Sequence, residues 1–277
     1  MKKTILLIGS NGYIGTKLKK ALNGNFNLIN TSKKKGFDIS NPKSFDKYFT
    51  RNIDIIINLS GQSSNNTKLM KKTIINGNKN LINFCKKKNI IVYYFSTSLI
   101  YGFSNKIKKE TSSKNPRDYY SKYKYLAEKE YLKSNINYKI LRLCNIYNGK
   151  KSGIVKNITD TLLKNKKLQI TNSKVCRNYI YVNDLINIVC KMIKKNLKHT
   201  VYNIGFENIK IIEMIRILEK KLKIKLNYVD QNLSLKKIPS QKISINKVLK
   251  EIKYKPKVKL KNYLTKKYYS ELKILKK

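Results

Sequence analysis

Residues Thr4-Ile5-Leu6-Leu7-Ile8-Gly9-Ser10-Asn11-Gly12-Tyr13-Ile14-Gly15 run an apolar stretch straight into three glycines spaced G-x-x-G-x-x-G. A branched and leucine-rich run without polar interruption reads as a strand buried on both faces. Such a strand must turn sharply into a helix, and glycine allows that turn without a Cβ clash. A turn free of side chains also lets backbone N–H groups approach a pyrophosphate, while the positive end of the following helix favours the anion. The whole chain has only 11 glycines, so three in this window mark a nucleotide-binding turn rather than a plain connection.

Strand-like runs recur downstream at Phe26–Ile29, Ile53–Leu59, Ile90–Phe95 and Tyr138–Leu143, separated by helical periodicity at Tyr13–Leu22, Pro42–Thr50, Thr67–Lys87 and Tyr119–Lys133. This alternation predicts an α/β fold: a Rossmann-type doubly wound parallel sheet with right-handed crossovers and helices on both faces. After about residue 148 the pattern changes. Helical stretches at Ile154–Leu163, Asp184–Met192, Lys210–Leu222 and Ile245–Lys250 alternate with short apolar pieces at Tyr179–Val182 and Val201–Ile204. Residues 1–148 are therefore expected to form an NAD(P)-binding domain. Residues 149–277 are expected to form a smaller, mixed α/β substrate lobe, some of whose elements rejoin the sheet. Ligands in such sheets sit beyond the strands' carboxyl ends, which puts the cleft between that lobe and the glycine turn.

Composition narrows the function classes. Lys and Arg number 62 against 15 acids, a formal charge of +47 over 277 residues. The excess is lysine, spread over nearly every segment, with arginine confined to Arg51, Arg117, Arg142, Arg177 and Arg216. Abundant Lys, Asn, Ile and Tyr together fit A/T-biased coding more simply than a binding stripe. Salt-sensitive attraction to polyanions is expected, and a specific nucleic-acid partner is not. No stretch reaches membrane-spanning length, and the opening apolar run stops at Gly9, too short for a signal sequence. A cytoplasmic protein without a membrane partner is the expectation. Cys85, Cys144, Cys176 and Cys190 form no C-x-x-C pair, and the lone His199 completes no zinc spacing with them, so no metal is expected.

Tyr120-Ser121-Lys122-Tyr123-Lys124 contains Y-x-x-x-K. At helical spacing the phenol and the ammonium share one face, one turn apart. A neighbouring cation favours the phenolate and lowers the tyrosine pKa from about 10, making a usable acid/base at neutral pH. In a chain with 20 tyrosines and 62 basic residues, about four or five such spacings arise by chance, Tyr125 and Lys129 among them. Position singles out Tyr120: it starts a helix after Asn115-Pro116 and follows the fourth strand, which ends in the hydroxyls of Ser96-Thr97-Ser98.

Taken together these residues resemble the extended short-chain dehydrogenase/reductases, the NAD-dependent epimerase/dehydratase family, over nearly the whole chain. The glycine turn matches the family's G-x-x-G-x-x-G, which implies cofactor contacts from Gly9, Asn11, Gly12, Tyr13, Ile14 and Gly15. Asp38-Ile39 resembles the family's adenine-contacting Asp-Ile/Leu, and Asn58-Leu59-Ser60-Gly61 resembles its H-L-A-A segment, implying Leu59, Ser60 and Gly61 beneath the cofactor. Asn76-Gly77-Asn78-Lys79-Asn80-Leu81 is similar to N-x-x-G-T-x-N-L. Phe95 to Gly102 resembles S-S-x-x-V-Y-G and puts Thr97 at the catalytic Ser/Thr position. Pro116 to Lys124 matches P-x-x-x-Y-x-x-x-K, with Glu128 where the family often has a glutamate. On the substrate side, Leu141 to Tyr147 resembles L-R-x-x-N-V-Y-G, implying Asn145 as a sugar-nucleotide contact. Arg177 to Asp184 is similar to R-D-F-I-H-V-D-D, implying that Arg177 meets the substrate diphosphate, a task suited to a planar guanidinium.

The resemblance implies an NAD- or NADP-dependent oxidoreductase or isomerase moving a hydride at C4 of a nucleotide-linked sugar. In that reading Tyr120 exchanges the proton, Lys124 lowers the phenol's pKa and binds the nicotinamide ribose, and Thr97, or Ser98 beside it, hydrogen-bonds the substrate oxygen. Three departures shape it. Asn30-Thr31-Ser32-Lys33 replaces the acidic residue that usually ends the second strand in NAD-binding members, leaving NADP equally open. Ser98-Leu99 follows Thr97 where 4,6-dehydratases carry Asp-Glu, which disfavours water loss. The second arginine usual near Pro239-Ser240-Gln241-Lys242 is missing, and the substrate region is short. A 4-epimerase and an NADPH-dependent 4-keto-deoxysugar reductase both remain open. A non-catalytic NAD(P)-binding protein with a polyanion-binding surface is the rival from another class, and a two-helix homodimer is an expectation by association.

Overall fold

A computed structural model describes residues 2–61, 64–147, 154–164, 167–223, 225–233 and 240–266. The expected division between residues 148 and 149 lies outside the described residues. Thirteen strands occur among them: β1 (Thr4–Ile8), β2 (Asn27–Thr31), β3 (Ile55–Asn58), β4 (Ile91–Thr97), β5 (Ser104–Lys108), β6 (Asn137–Leu143), β7 (Asn145–Tyr147), β8 (Leu168–Ile170), β9 (Cys176–Tyr181), β10 (Val201–Ile204), β11 (Glu207–Lys210), β12 (Tyr228–Asp230) and β13 (Gln241–Ile243). The α-helices are α1 (Tyr13–Leu22), α2 (Thr67–Lys71), α3 (Gly77–Cys85), α4 (Tyr119–Leu132), α5 (Ile154–Lys164), α6 (Val182–Ile193), α7 (Ile211–Leu222) and α8 (Asn246–Ile252).

Six strands form an all-parallel sheet in the order β2-β1-β3-β4-β6-β10. Successive side chains of a strand face opposite ways. Ile5 and Leu7 accordingly join Ile55, Ile57, Tyr93 and Phe95 under α1 and α6. Leu6 and Ile8 join Ile56, Val92 and Tyr94 under α3 and α4, with Leu81, Ala127 and Tyr131. Burial on both faces explains why these strands read as unbroken apolar runs. β10 pairs with β6, and α6 packs against α1, so the later half of the chain completes the sheet's far edge and one of its helical layers. A second sheet runs β11-β9-β13-β5, with β7 beside β9, and β12 pairs with β8. A separate apolar cluster of Ile158, Ile170, Tyr179, Ile215 and Leu260 lies among these elements.

The local structure departs from the periodicity in three places. Pro42–Tyr48 is a 3-10 helix rather than an α-helix. Its buried residues Phe45 and Tyr48 are three apart, the spacing that three residues per turn places on one face. Between α2 and α3 the helix widens into a π turn at Lys72–Asn76, where Ile74 is buried. β2 begins at Asn27 and runs to Thr31, later than the apolar run Phe26–Ile29, because the Thr31 carbonyl is held by the N–H groups of Gly9 and Ser10 at 2.9 and 3.0 Å.

Candidate active site

The strand order changes direction between β1 and β3, and the glycine turn stands at that switch point. Gly9 has φ +84°, in the left-handed region open to glycine. Gly15 packs its Cα so closely on the turn that a Cβ there would lie 2.2 Å from the Gly9 carbonyl oxygen. Two cavities open beside the turn and share Gly9, Gly12, Leu59 and Gly61 as a common wall. The first, about 330 Å³, is lined further by Ser32, Lys33, Phe37, Asp38, Ile39 and Ser60. The second, about 290 Å³, is lined by Tyr13, Ile14, Gly15, Thr97, Tyr120, Lys124, Leu143, Cys144 and Ile146.

Each polar group in the second cavity has a defined origin. Thr97 is the last residue of β4, and its Oγ1 accepts the Leu99 N–H at 3.2 Å, leaving its hydroxyl proton to donate. Asp118 caps α4 through a capping box with Ser121, fixing the helix start that presents Tyr120. Lys124, one turn on, is buried and donates from Nζ to the carbonyls of Phe95 at 2.8 Å and Ser60 at 3.0 Å, tying the ends of β4 and β3 together. Burial pulls the Lys124 pKa down to about 7 against the opposing field of Glu128.

The phenol does not behave as the Y-x-x-x-K spacing alone suggests. Burial, with a smaller push from Asp118, raises the Tyr120 pKa to about 12 rather than lowering it. The cause is geometric. The Lys124 ammonium lies 5.9 Å from the Tyr120 ring centre and is turned toward two backbone carbonyls.

Below the cavity floor lies a buried polar network that sequence patterns did not disclose. Glu128 accepts from Arg142 Nη2 at 2.7 Å and Nε at 3.1 Å, and from Ser96 Oγ at 2.5 Å. Arg142 Nη1 donates to Tyr101 Oη at 2.7 Å, whose own proton goes to Asn203 Oδ1 at 2.7 Å. Burial works against the guanidinium's charge, but the Glu128 bonds hold its pKa above the ordinary value. A second network joins Asn58, Asn78 and Tyr131: Asn58 Nδ2 and Tyr131 Oη both donate to Asn78 Oδ1, at 2.9 and 2.7 Å. Asn58 Oδ1 in turn accepts from the Ser60 backbone and hydroxyl, shaping the loop after β3. Only the residue types were visible in the sequence; their pairing depends on strands and helices far apart in the chain.

Among the other expected site residues, Asp38 spends its carboxylate locally. Its Oδ1 accepts the Ser40 N–H and hydroxyl, and Lys33 Nζ lies 3.5 Å from Oδ2. Burial opposes ionisation of Asp38, but these partners hold its pKa below the usual range. Asn11, Ser98, Asn145 and Arg177 line neither cavity. Asn11 is exposed on the glycine turn, and Ser98 is buried at the start of a 3-10 turn. Asn145 Nδ2 donates to the Asn178 carbonyl at 3.0 Å, while the Arg177 guanidinium stacks 5.4 Å from the Phe103 ring centre.

The paired cavities fit a dinucleotide. The glycine turn leaves no room for a side chain where a pyrophosphate approaches, and the adjoining bays extend to either side of it. The buried Ser32 hydroxyl, on the wall of the larger bay, has no hydrogen-bond partner among the described residues.

The family model described as NAD dependent epimerase/dehydratase family matches residues 5–205. The chain belongs to this family. It is an NAD(P)-dependent enzyme of the extended short-chain dehydrogenase/reductase type, and the α/β Rossmann-type architecture expected from the sequence is present. One relative is the N-acetyl-alpha-D-glucosaminyl-diphospho-ditrans,octacis-undecaprenol 4-epimerase of Escherichia coli O157:H7, 23% identical over 260 residues that cover 87% of this chain and 75% of the relative. The UDP-glucose 4-epimerase of Thermotoga maritima, solved with UDP-glucose, superposes with a TM-score of 0.81 at 20% identity, covering 97% of this chain and 99% of that one. The UDP-glucuronic acid 4-epimerase of Bacillus cereus, solved with NAD, gives a TM-score of 0.75 at 21% identity over 97% and 99%. These two likenesses establish the fold of this family member. No helix among the described residues is long and apolar enough to cross a membrane.

Proposed function

We propose that this family member transfers a hydride at C4 of a nucleotide-linked sugar, with Tyr120 as the acid/base. One juxtaposition carries the reading: Tyr120, Lys124 and Thr97 line the same cavity, and that cavity shares a wall with the glycine turn. A bound nicotinamide dinucleotide supplies the hydride acceptor and donor. Gly9, Gly12 and Gly15 receive its pyrophosphate, with Asn11, Tyr13 and Ile14 on the same turn. Asp38 and Ile39 border its adenine, and Leu59, Ser60 and Gly61 support it from below. Lys124 holds the nicotinamide ribose.

A phenol with a pKa near 12 is protonated at neutral pH and set to donate to a carbonyl oxygen as that oxygen becomes an alkoxide. Thr97 adds a second donor to the same oxygen, a preorganised stabilisation of the developing charge. In the opposite direction the Tyr120 phenolate left by that donation takes back the proton of the sugar hydroxyl as the hydride leaves C4. No carboxylate lines this cavity among the described residues, which supports hydride transfer without the water loss of a dehydratase. Residues 1–148 hold the dinucleotide in this proposal, and residues 149–277 supply the sugar-nucleotide side, with Asn145, Arg177 and Ser98 as substrate contacts. The reaction is placed in the cytoplasm. A homodimer through two-helix packing, as the family resemblance implies, is part of the proposal.

A 4-epimerase is the leading form, in keeping with the 4-epimerases among its relatives. The acid-free end of β2 favours a second form, an NADPH-dependent 4-ketoreductase. Proton NMR of a panel of UDP- and dTDP-linked hexoses incubated with the enzyme separates them. Interconversion of gluco and galacto forms without added dinucleotide supports the epimerase, and consumption of a 4-keto sugar only with NADPH supports the reductase. No change in any sugar under either condition contradicts the proposal.

A further inference from the structure

We infer that a cavity at the amino ends of the central strands, at the opposite end of the sheet from the dinucleotide bays, is a second ligand site that binds a short chain of phosphates through Lys3, Lys139 and Lys194. The inference is independent of the proposed reaction and adds a ligand that the reaction does not use.

The position follows from the sheet. All six strands run the same way, so their carboxyl ends gather at one edge, where Thr97 stands with the glycine turn. Ile55, Ile91 and Asn137, the first residues of β3, β4 and β6, lie at the other edge, and there they line a cavity of about 440 Å³. This cavity is larger than either bay beside the glycine turn, and small ligands typically occupy sites of about 300–1,000 Å³. The connection from α6 to β10 forms another wall, through Lys194, Lys195, Asn196 and Thr200.

Lysine is frequent throughout this chain, so number alone argues nothing; placement does. The ammonium groups come from three separate segments: Lys3 ahead of β1, Lys139 on β6, and Lys194 and Lys195 after α6. No carboxylate lines the cavity among the described residues. Like charges gathered in this way repel one another, and a bound anion relieves that cost. Lys139 is half-buried, and its Nζ donates to the carbonyls of Leu197 and His199 at 2.8 and 2.9 Å. Two of its three protons are thereby used, which fixes the ammonium and leaves one proton for a ligand. Burial lowers the Lys139 pKa against the opposing field of Glu251. The Glu251 carboxylate is itself committed, accepting the Lys198 N–H and the Tyr202 hydroxyl. Carbonyls around the end of α6 would repel an anion, but Tyr93 Oη meets that of Met192 at 3.2 Å and Lys139 meets the two beyond.

Lys3 and Lys194 are exposed, and their ammonium groups make no hydrogen bond or ion pair among the described residues. Ammonium groups on flexible stems meet phosphate oxygens as point charges and need no fixed bidentate geometry. A linear oligophosphate spreads its charge over several such groups, whereas a single phosphate reaches only some of them. A free oligophosphate and the phosphate tail of a nucleotide share this chemistry.

The test must separate a built site from the general pull of a +47 chain on anions. Calorimetric titration at physiological salt should show tripolyphosphate binding ~10-fold or more tightly than orthophosphate. Lys3→Gln/Lys194→Gln should remove most of that gain. Lys106→Gln/Lys109→Gln, which takes the same charge from exposed positions on and beside β5, should keep it. ATP that binds as tightly as tripolyphosphate, and is weakened by the same cavity variant, identifies a nucleotide as the source of the phosphates. ATP that binds less tightly identifies a free oligophosphate. Tripolyphosphate that binds no more tightly than orthophosphate overturns the inference. So does an affinity that the cavity variant retains, or that both variants lose equally; the anion then sits at the glycine turn or answers only to overall charge. None of these outcomes bears on hydride transfer.

Discussion

Arg142 and Glu128 meet through a two-pronged ion pair, Nη2 to Oε2 at 2.7 Å and Nε to Oε1 at 3.1 Å, with both side chains withdrawn from solvent. The pair links β6 to α4, and Ser96, the residue next to Thr97, donates its hydroxyl to Glu128. Taking two charges out of water is costly, and such a pair holds only while each partner satisfies the other. Arg142→Met strands a buried carboxylate and should lower unfolding free energy by about 3–5 kcal/mol in urea titrations. The double variant Arg142→Met/Glu128→Leu should recover most of that loss. Additive losses would show that the pair is not coupled.

Tyr120→Phe removes one oxygen from the cavity and leaves the ring in place. Turnover should fall by about 10²–10⁴-fold, the usual share of a positioned acid/base. The dissociation constant for dinucleotide, measured by fluorescence titration, should stay unchanged. Undiminished turnover in this variant removes Tyr120 from the chemistry.

Gly15→Ala sets two effects against each other. Alanine in place of glycine within a helix is worth about 1 kcal/mol. The new Cβ, however, would sit 2.2 Å from the Gly9 carbonyl oxygen and 2.9 Å from Ser10 Cα, both backbone atoms. Sterics should win, with a net destabilisation of about 1–3 kcal/mol and a weakened dinucleotide affinity. A rise in melting temperature would mean that the turn is looser than its geometry indicates.

Lys124 gives the stability of the protein a pH dependence of known sign. Its pKa is about 7 when folded, against about 10.4 in an unfolded chain. Between these values the unfolded state binds more protons, so stability rises as pH increases from about 7 toward 10. Below about 7 both states are protonated and the burial penalty is fully present. Comparing wild type with Lys124→Met at pH 7 and pH 9, the wild type should gain about 1–2 kcal/mol relative to the variant. An unchanged difference would place the ammonium in contact with water.

Much of the architecture was legible in the residues. The bounds of β1, α1 and β10 coincide with the apolar runs and helical periodicity that mark them, because each buries side chains in a pattern that the local sequence carries by itself. Pro42–Tyr48 was misread since Phe45 and Tyr48 satisfy an α and a 3-10 spacing alike. β5 was not anticipated: Ser104–Lys108 is polar and largely exposed, and it forms a strand only because β13 pairs with it from far along the chain.

The site divides in the same way. Glycine spacing and Y-x-x-x-K located the two cavities, since those motifs are local. The phenol's raised pKa, the orphaned Ser32 hydroxyl and the Arg142–Glu128 pair arise from burial and long-range contact, which no local pattern encodes.

Isotope transfer tests the proposed reaction most directly. The enzyme, stoichiometric oxidised dinucleotide and nucleotide-linked hexoses deuterated at C4 would be combined and quenched at successive times within the first turnover, before re-reduction returns the hydride to C4, and the dinucleotide then weighed by mass spectrometry. Hydride transfer at C4 predicts that the deuterium appears on the nicotinamide of the reduced dinucleotide, and that Tyr120→Phe suppresses its appearance. Reduced dinucleotide formed without the label, with hydrogen drawn from another carbon, would contradict the assignment to C4.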